Sequence, residues 1–479
     1  MASVKVATYS GSTATVDEAA LEELSMVFRG AVLHPGEEGY EEARVIFNGM
    51  FERRPAMIVR CSGTADVIDA VKFARAHDLL VAVRGGGHSV AGNSICEGGL
   101  MIDLSQMNGV HVDRKARTVR AQGGATWGAV DREAQAFGLA TPGGVVSTTG
   151  VAGLTLNGGI GWLRNKYGLS CDNLISAEVV TADGELLTAS ATEHKDLLWA
   201  LRGGGGNFGI VTSLEFQAHS LGPVVMAAVP MYPLESGPKI LRRWRDWVAT
   251  SPDEVTSAAL LWTLPVHPNM PEAAQGQPVL ITAGVYAGSP EEGERVLQPL
   301  REFGEPLGEI VGAMPFRMVQ SAFDPFFPAT GEILSYWKSL YVSDLSDEVI
   351  DIICEQGANR SSPMTLINIP YLGGAVRRVR PDETAFAVRD AAFMISIDGN
   401  WRDPSEGQTH IAWVREAWDR LLPHSTGAVY LNFMGAEEQG ADALVRSAFG
   451  ANYDRLIDVK TKYDPTNMFR LNQNIKPRT

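Results

Sequence analysis

The sequence predicts an α+β protein, with an α/β-like N-terminal part of two subdomains followed by an antiparallel sheet covered by helices on one face. Three observations support this. Short β-branched runs alternate with helix-period stretches up to about residue 220, and the dense glycine clusters fall in that same region. Beyond it, longer strand-like runs alternate with helical segments and no dense glycine cluster occurs.

Taking the elements in order, PAMIVRC (55–61) is a β-branched run that reads as a strand. TADVIDAVKFARAHDL follows, with apolar residues at helical spacing behind a Thr cap. LVAVRGGG (80–87) and GLMIDLSQM (99–107) read as two further strands, so strand–helix–strand order implies an α/β layer. A second set follows in VRAQGGATWGAVDREAQAFG (119–138), the glycine-rich 143–161, AEVVTADGEL (177–186) and GIVTSLEFQAH (209–219). From 224 to roughly 425, strand candidates such as VVMAAVPMYP and QPVLITAGVYA are separated by helical stretches such as PEEGERVLQPLREFG, the pattern of an antiparallel sheet. The C-terminal stretch contains the helix YDRLIDVKTKYDP, which is predicted to stop before Pro465.

Bulk properties narrow the function. A chain of 479 residues exceeds one compact core, and 45% hydrophobic with 20% charged residues is the make-up of a folded soluble protein. The net charge of −15, with no basic run, argues against nucleic acid or an anionic membrane as partner. The N-terminus lacks the basic segment and apolar core of a secretory signal, and no later stretch is long and apolar enough to span a bilayer. Cys61, Cys96, Cys171 and Cys354 are scattered without a CxxC pair, so neither a metal site nor a disulfide framework is expected. These features predict a cytoplasmic protein.

The chemistry lies in four glycine clusters: RGGGHSVAGN (84–93), QGGATWG (122–128), GGVVSTTGVAGLTLNGGIG (143–161) and RGGGGNFG (202–209). Glycine lets backbone N–H groups approach a phosphate or ring closely, so several clusters in one region suggest a cofactor laid along loops. Gly204, Gly206 and Gly209 satisfy the GxGxxG dinucleotide pattern, but helix-like KDLLWALR precedes them and strand-like IVTSLEF follows. That order is inverted, which rejects a nicotinamide-binding fold.

RGGGHSVAG followed by GGLMIDLSQMNGV resembles the flavin loop of the vanillyl-alcohol-oxidase-type FAD-linked oxidoreductases, and within them the berberine-bridge-enzyme-like branch. GLTLNGGIGWLRNKYGLSCDNL (153–174) is similar to that branch's second flavin loop, that of its hydroxynicotine-oxidase members in particular, and YDRLIDVKTKYDPTNMFRLNQNI (453–475) to its C-terminal segment. The resemblance implies an FAD-binding domain over 1–217, a substrate domain over 218–425, and a segment 426–479 that returns to the first.

The resemblance also implies roles. His88, which alone would read as a solvated loop histidine, would bond covalently to the flavin 8α-methyl group. Val146 stands where many relatives carry a second attaching cysteine, so a single linkage is expected. Arg84, Gly85, Gly86, Gly87, Ser89, Gly92, Asn93, Thr148, Gly150, Gly153, Asn157, Gly158, Gly161, Tyr167, Asn173 and Val211 would contact FAD, as would Asn472 and Asn474 in the tail. Tyr430 is either a core aromatic on a strand or, as in sugar-oxidising relatives with a similar Tyr-x-Asn motif, the base that takes a substrate proton, with Asn432 beside it. As base it needs a cationic or hydrogen-bond-donating neighbour to lower its pKa.

Arg53 and Arg54 either reach phosphate or form a surface pair. Tyr336, Trp337, Lys338 and Tyr371 read first as core aromatics and a solvated lysine, with a place facing the substrate as the alternative. Thr149 replaces a small aliphatic residue thought to control oxygen access in relatives. The implied activity is oxidation of an alcohol carbon with O2 as acceptor and hydrogen peroxide as product, since amine-oxidising relatives lack the tyrosine. Alternatives are an amine oxidase, a dehydrogenase using another acceptor, or an inert flavin-containing binder. The oligomeric state is not legible.

Overall fold

The computed structural model describes residues 3–436 and 440–478. Its elements follow from which runs are apolar on one face and which on both. Met57–Arg60, Leu100–Asp103 and Val81–Arg84 form a parallel sheet in that order, with Ala31–Leu33 antiparallel at one edge. Parallel pairing demands a crossover, and helix Thr64–Ala76 supplies it. Its predicted Thr cap does not form: Gly63 is the capping residue and Thr64 already lies in the helix. The first-turn Asp66 instead accepts hydrogen bonds from Ser62 N, Ser62 Oγ and Arg29 N, tying the helix start to neighbouring chain.

The second sheet is antiparallel, in the order Leu186–Ser190, Leu174–Val180, Ile210–Gln217, Thr118–Gln122 and Val110–Asp113. Helix Thr64–Ala76 is shared by both sheets, since Val67, Val71 and Ala74 sit in one core with Val59 and Ile102 of the first and Val180 and Ile210 of the second. Helix Lys195–Leu201 precedes the GxGxxG run and strand Ile210–Gln217 follows it, so the inverted context holds.

The third sheet has seven antiparallel strands, in the order Gly308–Pro315, Val224–Pro233, Pro278–Tyr286, Val255–Thr263, Leu366–Pro370, Phe393–Trp401 and Leu334–Val342. Period-2 alternation divides its two faces. Ala259, Leu261, Ile367, Ile369, Ile395 and Ile397 pack on helices Gly237–Val248, Asp347–Ala358 and Gly407–Leu421 through Leu241, Trp244, Ile353 and Val414. Ala258, Leu260, Leu366, Asn368, Met394 and Asp398, on the opposite face, roof a cavity. No helix among the described residues is long and apolar enough to cross a membrane.

The tail returns to the glycine loops through a buried ion pair. Lys460 Nζ donates to Asp464 Oδ2 at 2.6 Å, to Asn207 O at 2.8 Å and to Phe469 O at 3.0 Å. Asp464 in turn accepts from Met468 N and Phe469 N. Both side chains are 0% exposed, so removing one partner strands a charge in the core. Asp464→Ala is therefore expected to lower stability by about 3–5 kcal/mol, read as a shifted urea midpoint. A smaller loss than for a surface pair would show that the tail is held by other contacts.

Candidate active site

Two glycine loops meet edge to edge beneath the roof. A Cβ on Gly86 would lie 2.4 Å from Gly150 N, so the two backbones touch and no side chain fits between them. His88 emerges beside this contact. Its Nε2 is 2.9 Å from Thr148 Oγ1, and its ring stacks on Phe47 with centroids 4.8 Å apart. Burial pushes its pKa down to about 4, which keeps the imidazole neutral.

Tyr430 is 1% exposed and stands at the start of the short turn Leu431–Phe433, not on a strand as its flanking apolar residues suggested. Ser339 Oγ fixes its backbone, accepting from Tyr430 N and donating to Tyr430 O. Its phenol oxygen accepts hydrogen bonds from Gly159 N at 3.1 Å, Ile160 N at 3.3 Å and Asn432 Nδ2 at 2.9 Å. Two successive N–H groups converge on one atom because the loop turns through Gly158 and Gly159, with φ of +117° and +91°. Burial raises the Tyr430 pKa to about 12, while the three donors pull it the other way. Asn432 is held in place by Leu154 O at 3.0 Å.

The cavity lies between these loops, the tail residues Asn472 and Gln473, and the roof strands. Its walls are mostly apolar, with Val145, Val146, Ile160, Trp162, Phe323, Phe327 and Phe433 among them.

A family model described as an FAD binding domain matches residues 55–190, and one described as berberine and berberine like matches 429–476. The FAD-linked oxidoreductase YgaK of Bacillus subtilis (strain 168) is 33% identical over 94% of this chain and 97% of its own length. The chain belongs to the berberine-bridge-enzyme-like FAD-linked oxidoreductases. Chitooligosaccharide oxidase of Gibberella zeae is 28% identical, covering 92% of each chain. The crystal structure of 6-hydroxy-D-nicotine oxidase from Arthrobacter nicotinovorans is similar at TM-score 0.83 and 27% identity, covering 94% of this chain and 98% of that one.

The cavity of this FAD-dependent oxidoreductase fits its cofactor. Asn157 Oδ1 and Asn472 Oδ1 are buried without a partner among the described residues, and both residues line the cavity. Gly153 and Gly206 also line it, and a Cβ on either would meet no atom within 4 Å. Unclaimed acceptors and bare backbone are what a flavin dinucleotide would cover.

Of the residues named from sequence, Gly85, Gly86, His88, Ser89, Asn93, Thr149, Gly150, Gly153, Asn157, Val211, Asn472, Tyr430 and Asn432 line the cavity. The others act from behind or lie elsewhere. Arg84 Nη1 donates to Ala43 O, Gly87 and Gly92 turn with φ of +70° and +68°, and Thr148 faces His88. Gly158 turns the chain below Tyr430, and Gly161 presses on Gly143 O. Tyr167 stacks on His219 at 4.0 Å, and Asn173 Oδ1 bonds His219 Nε2 at 2.7 Å, so this pair braces the second loop away from the cavity. Asn474 follows the lining stretch 471–473, outside the lining itself.

Arg53 Nη1 is committed to Gly92 O and Ile95 O, and Arg54 pairs with Glu41 at the surface. Of SYWKSL only Trp337 lines the cavity; Lys338 on the opposite face lies over the Trp418 ring. Tyr371 packs on Phe393, and its carbonyl accepts from Arg164 Nε.

Sequence reasoning missed Arg164 and Asp398, both buried cavity-lining ionisable residues. An Asp inside the apolar run FMISIDGNW was the available signal for the second. Arg164 gave none, since its partners are the carbonyls of Tyr371, Gly161 and Ser257.

Gly86→Ala is expected to separate the two loops. Purified variant should carry markedly less FAD per chain and melt lower, and full flavin loading would disprove the contact's importance.

Proposed function

We propose that the protein is an alcohol oxidase with flavin linked singly to His88, Tyr430 taking the hydroxyl proton of the substrate. The observation that carries this is the convergence of Gly159 N, Ile160 N and Asn432 Nδ2 on the Tyr430 oxygen at the cavity wall. FAD, when bound, accepts the hydride and passes its electrons to O2, giving hydrogen peroxide.

Those donors favour the phenolate against burial, which is the larger effect in the absence of bound groups and leaves the pKa at about 12. All three interactions use the oxygen as acceptor, so the phenol's own proton is left to point elsewhere. As base, Tyr430 would first lose its phenol proton to solvent; the phenolate, held by the three N–H groups, would then take the substrate's hydroxyl proton as the carbon gives up hydride to the flavin. An amine carrying a free electron pair needs no such base, which is why alcohols fit better. A neutral His88 with Nε2 turned to Thr148 leaves Nδ1 for the covalent bond. Val146 at the cavity wall offers no thiol for a second one. Thr149 lines the cavity next to Gly150 and is proposed to sit on the oxygen route. Four free thiols, three of them buried, suit the proposed cytoplasmic location.

Two variants test this reading. His88→Ala should release its flavin on acid precipitation, whereas flavin that stays with the pellet would refute the linkage. Tyr430→Phe should slow anaerobic flavin reduction by about two orders of magnitude at unchanged flavin content. An unchanged rate removes the tyrosine from the chemistry.

A further inference from the structure

Strands Gly308–Pro315 and Leu334–Val342 are consecutive in sequence yet form the two opposite edges of the seven-stranded sheet. The connection 316–333 therefore crosses the full width of the roof, about 29 Å at ordinary strand spacing. It crosses on the cavity side, because Phe323 and Phe327 line the cavity while the helices pack on the other face. Two short turns, Phe316–Gln320 and Asp324–Phe326, lie along it. Met318, Ala322 and Pro325 are exposed, so at Phe323 and Phe327 a single chain separates cavity from solvent.

Two side-chain contacts fasten this strap to the flavin-side loops. Gln320 Nε2 donates to Asp131 Oδ2 at 3.0 Å, both residues being buried. Asp324 grips Ser147 with both carboxylate oxygens: Oδ1 accepts from Ser147 N at 2.8 Å, and Oδ2 from Ser147 Oγ. The two landing points belong to one unit. Asp131 lies on helix Trp127–Gln135, whose Gly128 N and Trp127 N hold Ser147 O and Thr149 O at 2.8 and 3.0 Å.

Hydrogen bonds to a carboxylate are stronger than neutral ones, and two from one residue also fix orientation. Asp324 stands between Phe323 and Phe327, so its hold on Ser147 sets where those wall rings stand. Ser147 adjoins Thr148, which faces His88, so one contact joins the substrate wall to the flavin loop.

We propose that Asp324 is a positioning residue that latches the strap 316–333 over the cavity, closing the flavin chamber to bulky molecules and bulk water. Substrate then enters by release of the strap, and its return excludes water from the reaction. The latch acts through Ser147 and is independent of whether His88 carries the flavin or Tyr430 is the base.

The test photoreduces the flavin-loaded protein anaerobically and mixes it with a small oxidant, O2, or a bulky one, 2,6-dichlorophenolindophenol. Asp324→Ala is expected to speed reoxidation by the dye about tenfold relative to reoxidation by O2, the worth of one charge-assisted contact. Asp324→Asn should keep most of the wild-type ratio, because its amide can still bond Ser147 N and a serine hydroxyl accepts as well as donates. Hydrogen exchange, followed by mass spectrometry, should quicken in peptides covering 316–333 and 145–150 of Asp324→Ala and not elsewhere. Ser147→Ala removes the hydroxyl contact alone, should move both readouts the same way, and serves where Asp324→Ala folds poorly. A dye-to-O2 ratio unchanged in both variants would overturn the latch, as would exchange that quickens throughout the chain. Neither result touches the acid-release test of His88 or the reduction rate of Tyr430→Phe.

Discussion

Everything at the site depends on backbone touching backbone where Gly86 meets Gly150. Because no Cβ fits there, the loop after strand Val81–Arg84 can lie against the loop before helix Val151–Leu156. The second loop is held from its other side by Trp127 N bonding Thr149 O and Val151 N bonding Ala125 O. His88, Thr148 and Thr149 all project from this junction, and His88 is steadied further by Phe47 and Thr148.

Irregular backbone of this kind cannot satisfy itself as a helix or strand does, and buried charges supply what is missing. Arg164 gives its guanidinium to three carbonyls. Arg389 forks onto Asp172, at 2.9 and 2.7 Å, while Asp172 also accepts from Leu169 N in the second glycine-rich loop. The Arg389 guanidinium lies over Phe386, whose ring meets Tyr430 edge-on. Lys460 and Asp464 do the same for the tail. Through Ser257 O, Asp172 and Asn207 O these buried cations join segments distant in sequence, which makes the site a product of the whole fold and not of one motif.

Much of the fold was legible because periodicity and burial are local. The run PAMIVRC had to be buried on both faces, and VVMAAVPMYP and QPVLITAGVYA had to pair edge to edge. The glycine loops were legible for a similar reason, since dense glycine has few structural uses. The Thr64 cap was misread because the helix starts one residue early: Gly63 is the capping residue, and Asp66 takes the hydrogen bonds from Ser62 and Arg29. Tyr167 and Asn173, read as cofactor contacts, pack on His219, a partner that lies far along the chain.

The sequence by itself determined the α+β layout, the FAD-linked family and the cavity-side location of His88, since these rest on local patterns and contiguous motifs. Only the tertiary structure decided what surrounds each functional atom. Tyr430 acquires two of its three donors, Gly159 N and Ile160 N, from a loop some 270 residues away, and Trp337 acquires its ring neighbours Phe47, Phe327 and Phe433 from three other segments. Hydrogen-bond donors and electrostatic environment are set by which distant segments meet, and spacing along the chain does not encode that.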